Sequence, residues 1–286
     1  MRSERAAPMN IALQDGRLLA LGRVPLVMGI VNVTPDSFSD GGKYADPDRA
    51  FARAIELEEQ GADMIDIGAE STRPGSARIS AAEEMRRLIP VLKRLKDQLT
   101  IPISVDTYKA EVAERALELG VDVINDPSGL TIEPQLARVV SNHDAGLVLN
   151  HMRGRPDNWA RLGPMPDPVA GIARDLGAAV SRARHIGISP SKLVIDPGLG
   201  FGKRKEQNAL ILGRLSALAA IDLPIMAGPS RKSFLAHEDP EQTKFATAAA
   251  VAACVLGGVH MVRVHDVREM RAVTDLADDI LRAQAE

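Results

Sequence analysis

Carboxylate and amide side chains end several short apolar runs of this sequence. Asp66, Asp106, Asp196 and Asn125 occupy such positions. A carboxylate can accept two parallel N–H donors, and an amide can both donate and accept. The set is therefore suited to a ligand with adjacent N–H groups, such as a 2-amino-4-oxo-pyrimidine edge, and Lys232 can donate to its ring carbonyl or imine nitrogen. Each residue taken alone has an alternative interpretation, because Asp or Asn after a strand often caps the next helix.

Cationic side chains follow the last two of these runs. Ser230, Arg231 and Lys232 are consecutive, and Arg263 is followed two positions later by His265. Residues two apart in an extended segment point in the same direction. We therefore expect Arg263 and His265 to face a common anion, such as an anionic leaving group.

Asn32 lies next to the end of the first apolar run, and a polar loop follows that run. Its amide oxygen, together with phosphate oxygens and water, would fit the coordination shell of Mg2+. This loop, residues 34–42, and a second loop, residues 70–75, both contain Pro, Gly and charged residues. Loops of this kind often close over a substrate and exclude water, although two ordinary connections are the alternative.

The apolar runs themselves are short, continuous and rich in Val and Ile, as strands buried on both faces are. The eight runs are residues 26–33, 64–68, 103–106, 123–126, 147–151, 193–196, 224–228 and 261–264. Amphipathic segments between them predict helices, among them residues 50–60, 81–98, 109–119 and 168–185. Gly61, Gly120 and Gly187 follow three such segments, at the usual position of a helix C-terminal glycine.

Eight strands that alternate with helices predict parallel pairing and a closed (β/α)8 TIM barrel. An open, doubly wound sheet is the alternative. Apolar residues on both sides of Asp15-Gly16, over residues 10–21, predict a hairpin with a two-residue turn that covers the N-terminal end of the barrel. We predict a single domain over residues 1–286, with an N-terminal extension and hairpin over 1–25. In this fold the functional residues lie at the C-terminal ends of the strands, and phosphate commonly binds near the last two loops.

Composition narrows the classes of partner. The chain has 286 residues, of which 45% are hydrophobic and 26% charged, and a formal net charge of -3. These values favour a sizeable core and give no electrostatic reason to expect nucleic acid or a membrane surface as a partner. No run of about 18 apolar residues and no secretory signal is evident. The single cysteine, Cys254, is expected in a buried helix, and we expect a cytoplasmic location.

Several motifs resemble those of the dihydropteroate synthases. Residues 28–42 are similar to the first signature of that family, and residues 66–75 to the second. The similarity continues through residues 104–107, 124–126, 196–203, 230–233 and 263–266, in the family's order. These motifs extend over almost the whole chain, and the first two are highly specific.

The resemblance implies a barrel that condenses 6-hydroxymethyl-7,8-dihydropterin diphosphate with p-aminobenzoate, giving 7,8-dihydropteroate and diphosphate in folate biosynthesis. By motif, the pterin would be held by Asp106, Asn125, Asp196 and Lys232, with Asp66 nearby. Asn32 would meet Mg2+, Arg73, Arg263 and His265 would surround the diphosphate, and Asp36 would stabilise positive charge on the dihydropterin. The p-aminobenzoate pocket would be formed by Phe38, Thr72, Pro74, Phe201, Ser230 and Arg231. Sulfonamide drugs compete at that pocket in this family, so we expect them to bind here.

Two other functions stay open at this point. One is a pterin-binding barrel of corrinoid-dependent methyl transfer, which shares the pterin subsite and usually works beside a cobalamin module. The other is a catalytically silent pterin-binding protein, against which the set of charged residues argues. Oligomeric state is also open, because the small residues of 247–258 suit either core packing or the face of a homodimer.

Some positions depart from the pattern of the family. They are Pro127, Asn150 where Met is more familiar, Pro229 and a short loop over residues 235–243. Proline fixes φ and removes a donor, so we expect the turn after the seventh strand to be shaped differently. Trp159, in the loop after the fifth strand, has no evident role.

Overall fold

The strands lie where the buried apolar runs predict them. The computed structural model describes residues 9–13, 15–22, 24–34, 47–72 and 75–285. The strands are β1 Met9–Ala12, β2 Leu18–Leu21, β3 Leu26–Asn32, β4 Met64–Gly68, β5 Ile103–Asp106, β6 Val123–Asp126, β7 Gly146–Asn150, β8 Leu193–Asp196, β9 Met226–Ala227 and β10 Met261–Val264. Strands β3 to β10 are parallel and almost entirely buried, because helices cover their outer face and side chains fill the interior.

The parallel sheet closes into a barrel with one weak seam. Hydrogen-bonded neighbours follow the order β8-β7-β6-β5-β4-β3-β10-β9. The circle is completed by a single bridge between Ile195 and Ile225, beside which the Ile195 N–H donates to the Pro224 carbonyl at 2.9 Å. The predicted (β/α)8 barrel is therefore confirmed. The seventh predicted strand, residues 224–228, is shortened to β9, and its first residue is a proline that cannot donate to a ladder.

Helices separate the strands, and local signals set their ends. They are α1 Pro47–Glu59, α2 Ala81–Leu95, α3 Ala110–Glu118, α4 Leu136–Asn142, α5 Pro168–Ile186, α6 Lys205–Leu212, α7 Pro240–Leu256 and α8 Val267–Ala285. The Asp167 carboxylate caps α5 by accepting from two backbone N–H groups, and Gly187 ends that helix with a φ of 111°. The α2 helix ends earlier than the predicted residue 98, because Asp97 adopts a left-handed φ of 62°.

The N-terminal hairpin closes one end of the barrel. The β1 and β2 strands pair from Met9 with Leu21 to Ala12 with Leu18. Beyond the last pair the Leu13 N–H donates to the Arg17 carbonyl, so the turn is longer than the two-residue turn predicted around Asp15-Gly16. Apolar side chains of the hairpin pack on residues near the N-terminal ends of the barrel strands. This cluster includes Ile11, Leu13 and Leu21 from the hairpin and Met28, Met64, Val123, Val148, Val194, Met226 and Met261 from the strands.

A larger core fills the layer between sheet and helices. Cys254 lies in α7 and is fully buried, as predicted, and burial raises the pKa of its thiol. Thr247, Ala250 and Val251 of the same helix are also buried within the single chain, so these small residues serve core packing. Among the described helices, none is long and apolar enough to cross a membrane.

Candidate active site

A cavity of about 730 Å³ opens at the C-terminal ends of the barrel strands. Because parallel strands end at the same rim, side chains distant in sequence meet there. The lining includes Asn32 from β3, Thr72 after β4, Asp106 from β5, Lys232 after β9 and Arg263 from β10. The volume is that of a site for a small molecule.

Buried charges form the floor of this cavity. The Arg263 guanidinium donates to Asp66 Oδ2 at 2.6 Å and to Asp106 Oδ2 at 2.8 Å. The Asn125 amide donates to the same Asp66 oxygen at 3.1 Å. Asp66 is fully buried, and its Oδ1 has no hydrogen-bond partner among the described residues. Because a buried carboxylate oxygen without a donor is costly, this oxygen is suited to an N–H group of a ligand.

Asp196 and Lys232 lie close to this network. The Gly198 N–H donates to Asp196 Oδ1 at 2.6 Å, and burial raises the pKa of this carboxyl. Burial also raises the pKa of Asp106 to about 7, against the attraction of Arg263. Burial lowers the pKa of Lys232 to about 8, and repulsion from Arg263 acts in the same direction. Asp106 and Lys232 therefore titrate near neutral pH, as active-site groups often do.

Lys232 also contacts an aromatic ring. Its ammonium nitrogen lies 3.9 Å from the centroid of Phe201, within the range of a cation–π interaction. A glycine at position 200 allows this approach, because a Cβ there would lie 3.1 Å from Lys232 Cδ. The ammonium group thus faces carboxylates on one side and an apolar ring on another.

His265 is held at the rim by two neighbours. Its Nδ1 lies 2.9 Å from Ser230 Oγ, and its backbone N–H donates to the same hydroxyl at 3.2 Å. Arg53 of α1 donates to the His265 carbonyl at 2.8 Å, and its side chain lines the cavity. Arg53, Arg263 and Lys232 thus place positive charge around one opening.

The turn after β9 has an unusual backbone. The Lys232 N–H donates to the Pro229 carbonyl at 3.3 Å, and Arg231 adopts a left-handed φ of 54°. This conformation is rare for a residue with a side chain, and such strain often accumulates at functional sites. The Arg231 guanidinium is half exposed and pairs with Asp266 at 2.6 Å. The expectation that the turn at Pro229 is shaped differently from that of the family stays a prediction.

A buried ion network anchors the start of the second loop. Glu70 lines the cavity, accepts from the Tyr108 hydroxyl at 2.8 Å and is paired with Lys109. The same ammonium group pairs with Glu84 of α2, whose pKa is raised by burial. The loop that contains Thr72 is therefore fixed at its base.

Comparison with known proteins agrees with this geometry. Residues 28–265 match the family described as pterin binding enzyme. A dihydropteroate synthase of Synechocystis sp. is 42% identical over 265 residues, which cover 91% of this chain and 92% of that protein. The chain belongs to the dihydropteroate synthases, a group of pterin binding enzymes.

Solved structures of the family have the same fold. A Xanthomonas albilineans dihydropteroate synthase with 4-aminobenzoic acid superposes with a TM-score of 0.88 at 38% identity, over 96% of this chain and 98% of that one. A Yersinia pestis dihydropteroate synthase in a sulfonamide drug complex has a TM-score of 0.89 at 36% identity, over 95% of this chain and 99% of that one.

Most residues predicted for the site in this family member meet at the cavity. Those that line it or contact its floor are Asn32, Asp66, Thr72, Asp106, Asn125, Ser230, Arg231, Lys232, Arg263 and His265. Asp196 interacts electrostatically with Lys232 and Arg263. Phe201 is not among the lining residues and lies behind Lys232. The predictions for Asp36, Phe38, Arg73 and Pro74 lie outside the described residues.

Among the lining residues that were not predicted as site residues, three carry charged or aromatic side chains. Arg53 belongs to a helix, Trp159 to a turn far from any motif, and Glu70 was considered only as part of its loop. Arg53 and Trp159 do not lie at strand ends, so the pattern of polar strand ends does not mark them.

Asn150, one of the departures from the family pattern, forms a buried hydrogen bond across the barrel rim. The Asn150 amide donates to the Pro127 carbonyl at 2.7 Å, and both groups are buried. The pair joins the end of β7 to the loop after β6. A methionine at position 150 could not donate this hydrogen bond.

Proposed function

We propose that this chain condenses 6-hydroxymethyl-7,8-dihydropterin diphosphate with p-aminobenzoate and releases diphosphate. The observation that carries this proposal is the buried floor on which Arg263 joins Asp66 and Asp106. That floor presents carboxylates to a donor-rich heterocycle at one end of the cavity and cations to an anion at the other.

Asp66, Asp106, Asn125 and Asp196 would bind the pterin edge. The unpartnered Oδ1 of Asp66 can accept one ring or amino N–H, and the Asn125 amide orients that carboxylate. Asp106 is paired with Arg263, so pterin binding displaces or shares this ion pair. Lys232 would donate to the ring carbonyl or an imine nitrogen while Phe201 supports its ammonium group.

The cationic rim would bind the diphosphate. Arg263 and His265, with Arg73 from the second loop, stabilise negative charge on the leaving oxygens. Asn32 fits a Mg2+ site because its amide lines the cavity on this side, where substrate oxygens and water can supply the other ligands. Among the described residues no cluster of three or more His, Cys, Asp or Glu side chains could hold a metal by itself. When bound, Mg2+ would neutralise charge on the departing diphosphate.

The substitution would occur at the methylene carbon between these two ends. The bond from this carbon to the diphosphate oxygen breaks with its electron pair, and the dihydropterin ring spreads the positive charge. Asp36 would stabilise that charge electrostatically. The amine nitrogen of p-aminobenzoate then attacks the methylene, and its proton passes to solvent. The amine would be placed by Thr72, Ser230, Arg231 and Phe201, together with Phe38 and Pro74.

A homodimer is part of the proposal. Phe245 of α7 and Leu276 of α8 are about two-thirds exposed, and these helices pack on each other. Sedimentation velocity should give twice the mass of one chain, and Phe245→Asp should weaken that association. A monomer at micromolar concentration would contradict it. The cytoplasmic location stays a prediction.

One assay tests the activity. Purified protein is incubated with the dihydropterin diphosphate, p-aminobenzoate and Mg2+, and dihydropteroate and free diphosphate are measured. Equal amounts of both products are expected, with inhibition by a sulfonamide. Pterin binding without turnover would overturn the synthase function and favour a silent binding protein.

A further inference from the structure

Trp159 lines the cavity, and the proposed reaction gives its indole no role. It lies in a 3-10 turn, Trp159–Arg161, between β7 and α5. It is the only Phe, Tyr or Trp among the described residues that line the cavity. An arylamine substrate needs an apolar, planar surface, and among these residues only Trp159 provides one.

The position of the indole is fixed by Phe201. The two ring centroids are 5.5 Å apart, with an interplanar angle of 74°. This edge-to-face arrangement is a favourable geometry for two aromatic rings. Because Lys232 contacts the same phenyl ring, Trp159 and Lys232 share one support. A ligand that touches both would join the pterin end of the cavity to its rim.

Two basic residues brace the loops that carry these rings. The Arg153 guanidinium donates to the Gly163 carbonyl at 2.8 Å and to the Gly202 carbonyl at 3.3 Å. The buried Lys203 ammonium donates to the carbonyls of His151, Gly198 and Phe201, at 3.0, 2.7 and 3.3 Å. The loop after β7, which carries Trp159, is therefore tied to the loop after β8, which carries Phe201.

Close packing leaves little freedom at this junction. A Cβ at Gly202 would lie 2.9 Å from Trp159 Cδ1 and 2.6 Å from the Arg153 carbonyl. The indole nevertheless has one unmet requirement, because its buried Nε1 has no acceptor among the described residues. A tryptophan used only for packing usually finds such a partner.

We propose that Trp159 is a specificity-determining residue for the arylamine, whose ring lies against the indole. This inference rests on the proposed function and adds a residue to it. The substrate class is a primary aromatic amine with a carboxylate, of which p-aminobenzoate is the smallest para-substituted example. The rigid Trp159–Phe201 pair would select flat rings over bulkier amines.

Steady-state kinetics of three variants test the role. Trp159→Ala should raise the KM for p-aminobenzoate about tenfold and change the KM for the dihydropterin diphosphate less than about twofold. Trp159→Phe should restore the first KM to within about threefold of wild type, because a ring face is regained. Arg161→Ala, an exposed change in the same turn, is the matched control and should leave both KM values unchanged.

Fluorine NMR gives a readout that does not depend on the variants folding. The chain has one tryptophan, so protein labelled with 5-fluorotryptophan gives one resonance. Titration with p-aminobenzoate in the presence of inorganic diphosphate and Mg2+ should shift that resonance in a saturable way. This inference alone would be overturned if the wild-type protein is active, its fluorine resonance does not shift on titration, and Trp159→Ala keeps the wild-type KM for p-aminobenzoate. A wild type without turnover would instead overturn the proposed function, and this inference with it.

Discussion

The two ends of the barrel differ in the kind of side chain that they bury. At the N-terminal end, Ile11, Leu13 and Leu21 of the hairpin seal an apolar cluster of strand residues. At the C-terminal end, Arg263 joins two carboxylates that are buried or nearly so. One end removes apolar surface from water, while the other removes charges from it.

This contrast indicates that the N-terminal end contributes mainly to folding stability and the C-terminal end mainly to ligand binding. Burying apolar surface contributes favourably to folding, at roughly 25 cal/mol per Å². Burying an ion pair contributes little, because the desolvation cost can exceed the attraction between the charges. The charges at the C-terminal end are therefore better explained by ligand binding than by stability. Substitutions at the two ends should accordingly affect different measurements.

The largest effect is expected from Arg263→Ala. The change removes the cation that faces the proposed leaving group, so kcat should fall by about two to three orders of magnitude. The affinity for a pterin without diphosphate should fall much less or rise, because the change also frees Asp66 and Asp106 from their guanidinium partner. Both are measured by initial rates and by calorimetry with 6-hydroxymethylpterin. Equal losses in the two quantities would assign Arg263 to pterin binding alone.

Leu21→Ala should have the opposite signature. The side chain is 1% exposed, so its truncation should lower the free energy of unfolding by about 2–5 kcal/mol. The kcat/KM per folded molecule should stay within about twofold. Leu18→Ala, in the same strand but largely exposed, is the matched control and should change stability by less than about 0.5 kcal/mol. Urea denaturation measures both, and a loss of kcat/KM in folded Leu21→Ala protein would contradict the separation of the two ends.

The pH dependence should sharpen the same contrast. Asp106, with its pKa raised to about 7 by burial, accepts N–H donors fully only above that pH, whereas Lys232, with its pKa lowered to about 8, loses its proton above that pH. The kcat/KM for the dihydropterin diphosphate should therefore be bell-shaped, with limbs near these values. On the acid limb of this profile, pterin affinity should rise with pH because Asp106 loses its proton.

The pH dependence that Asp106 gives to folding stability has the opposite sign to the one it gives to pterin affinity. Between the ordinary aspartate pKa of 3.8 and the raised pKa of about 7, the folded chain binds a proton at Asp106 that the unfolded chain has already released. The contribution of this group to stability therefore falls as pH rises through that window. Asp106→Asn should flatten the acid limb, and a limb that persists in this variant would place the titration elsewhere.

The smallest of these effects is expected from Arg53→Gln. The guanidinium lines the cavity and holds the His265 carbonyl, so its loss should weaken binding of inorganic diphosphate by about three- to tenfold. Arg53→Lys should recover part of the affinity because the charge is kept. Arg49→Gln, an exposed change in the same helix, is the control. Calorimetric titration with diphosphate checks this, and equal affinities for all four proteins would remove Arg53 from the site.

Much of this molecule could be predicted because its strands are buried on both faces. The β4, β5, β6, β8 and β10 bounds agree with the predicted runs, since continuous apolar runs have clear limits. Turns were less predictable, because they depend on single backbone angles. The φ of 62° at Asp97 shortens α2, and the pairing of Leu13 with Arg17 lengthens the hairpin turn.

The predictability of the site divides in the same way. Asp66, Asp106 and Arg263 lie at or near strand ends, so the fold itself brings them together. Arg53 and Trp159 reach the cavity from a helix and from a loop, whose directions depend on tertiary packing that no sequence spacing encodes. The hydrogen bond from Asn150 to the Pro127 carbonyl is a further case, because it joins two strand ends whose proximity only the fold sets.

The ion pair on the cavity floor has one more consequence. A guanidinium group contains a carbon bonded to three nitrogens, with parallel N–H groups. The amino-pyrimidine edge of a pterin contains the same arrangement. Arg263 therefore presents to Asp66 and Asp106 a replica of the edge that these carboxylates are proposed to bind. Pterin binding would then exchange the N–H donors of Arg263 for the N–H donors of the pterin. The affinity for the pterin then reflects the difference between the interactions of these carboxylates with the pterin and their interactions with Arg263.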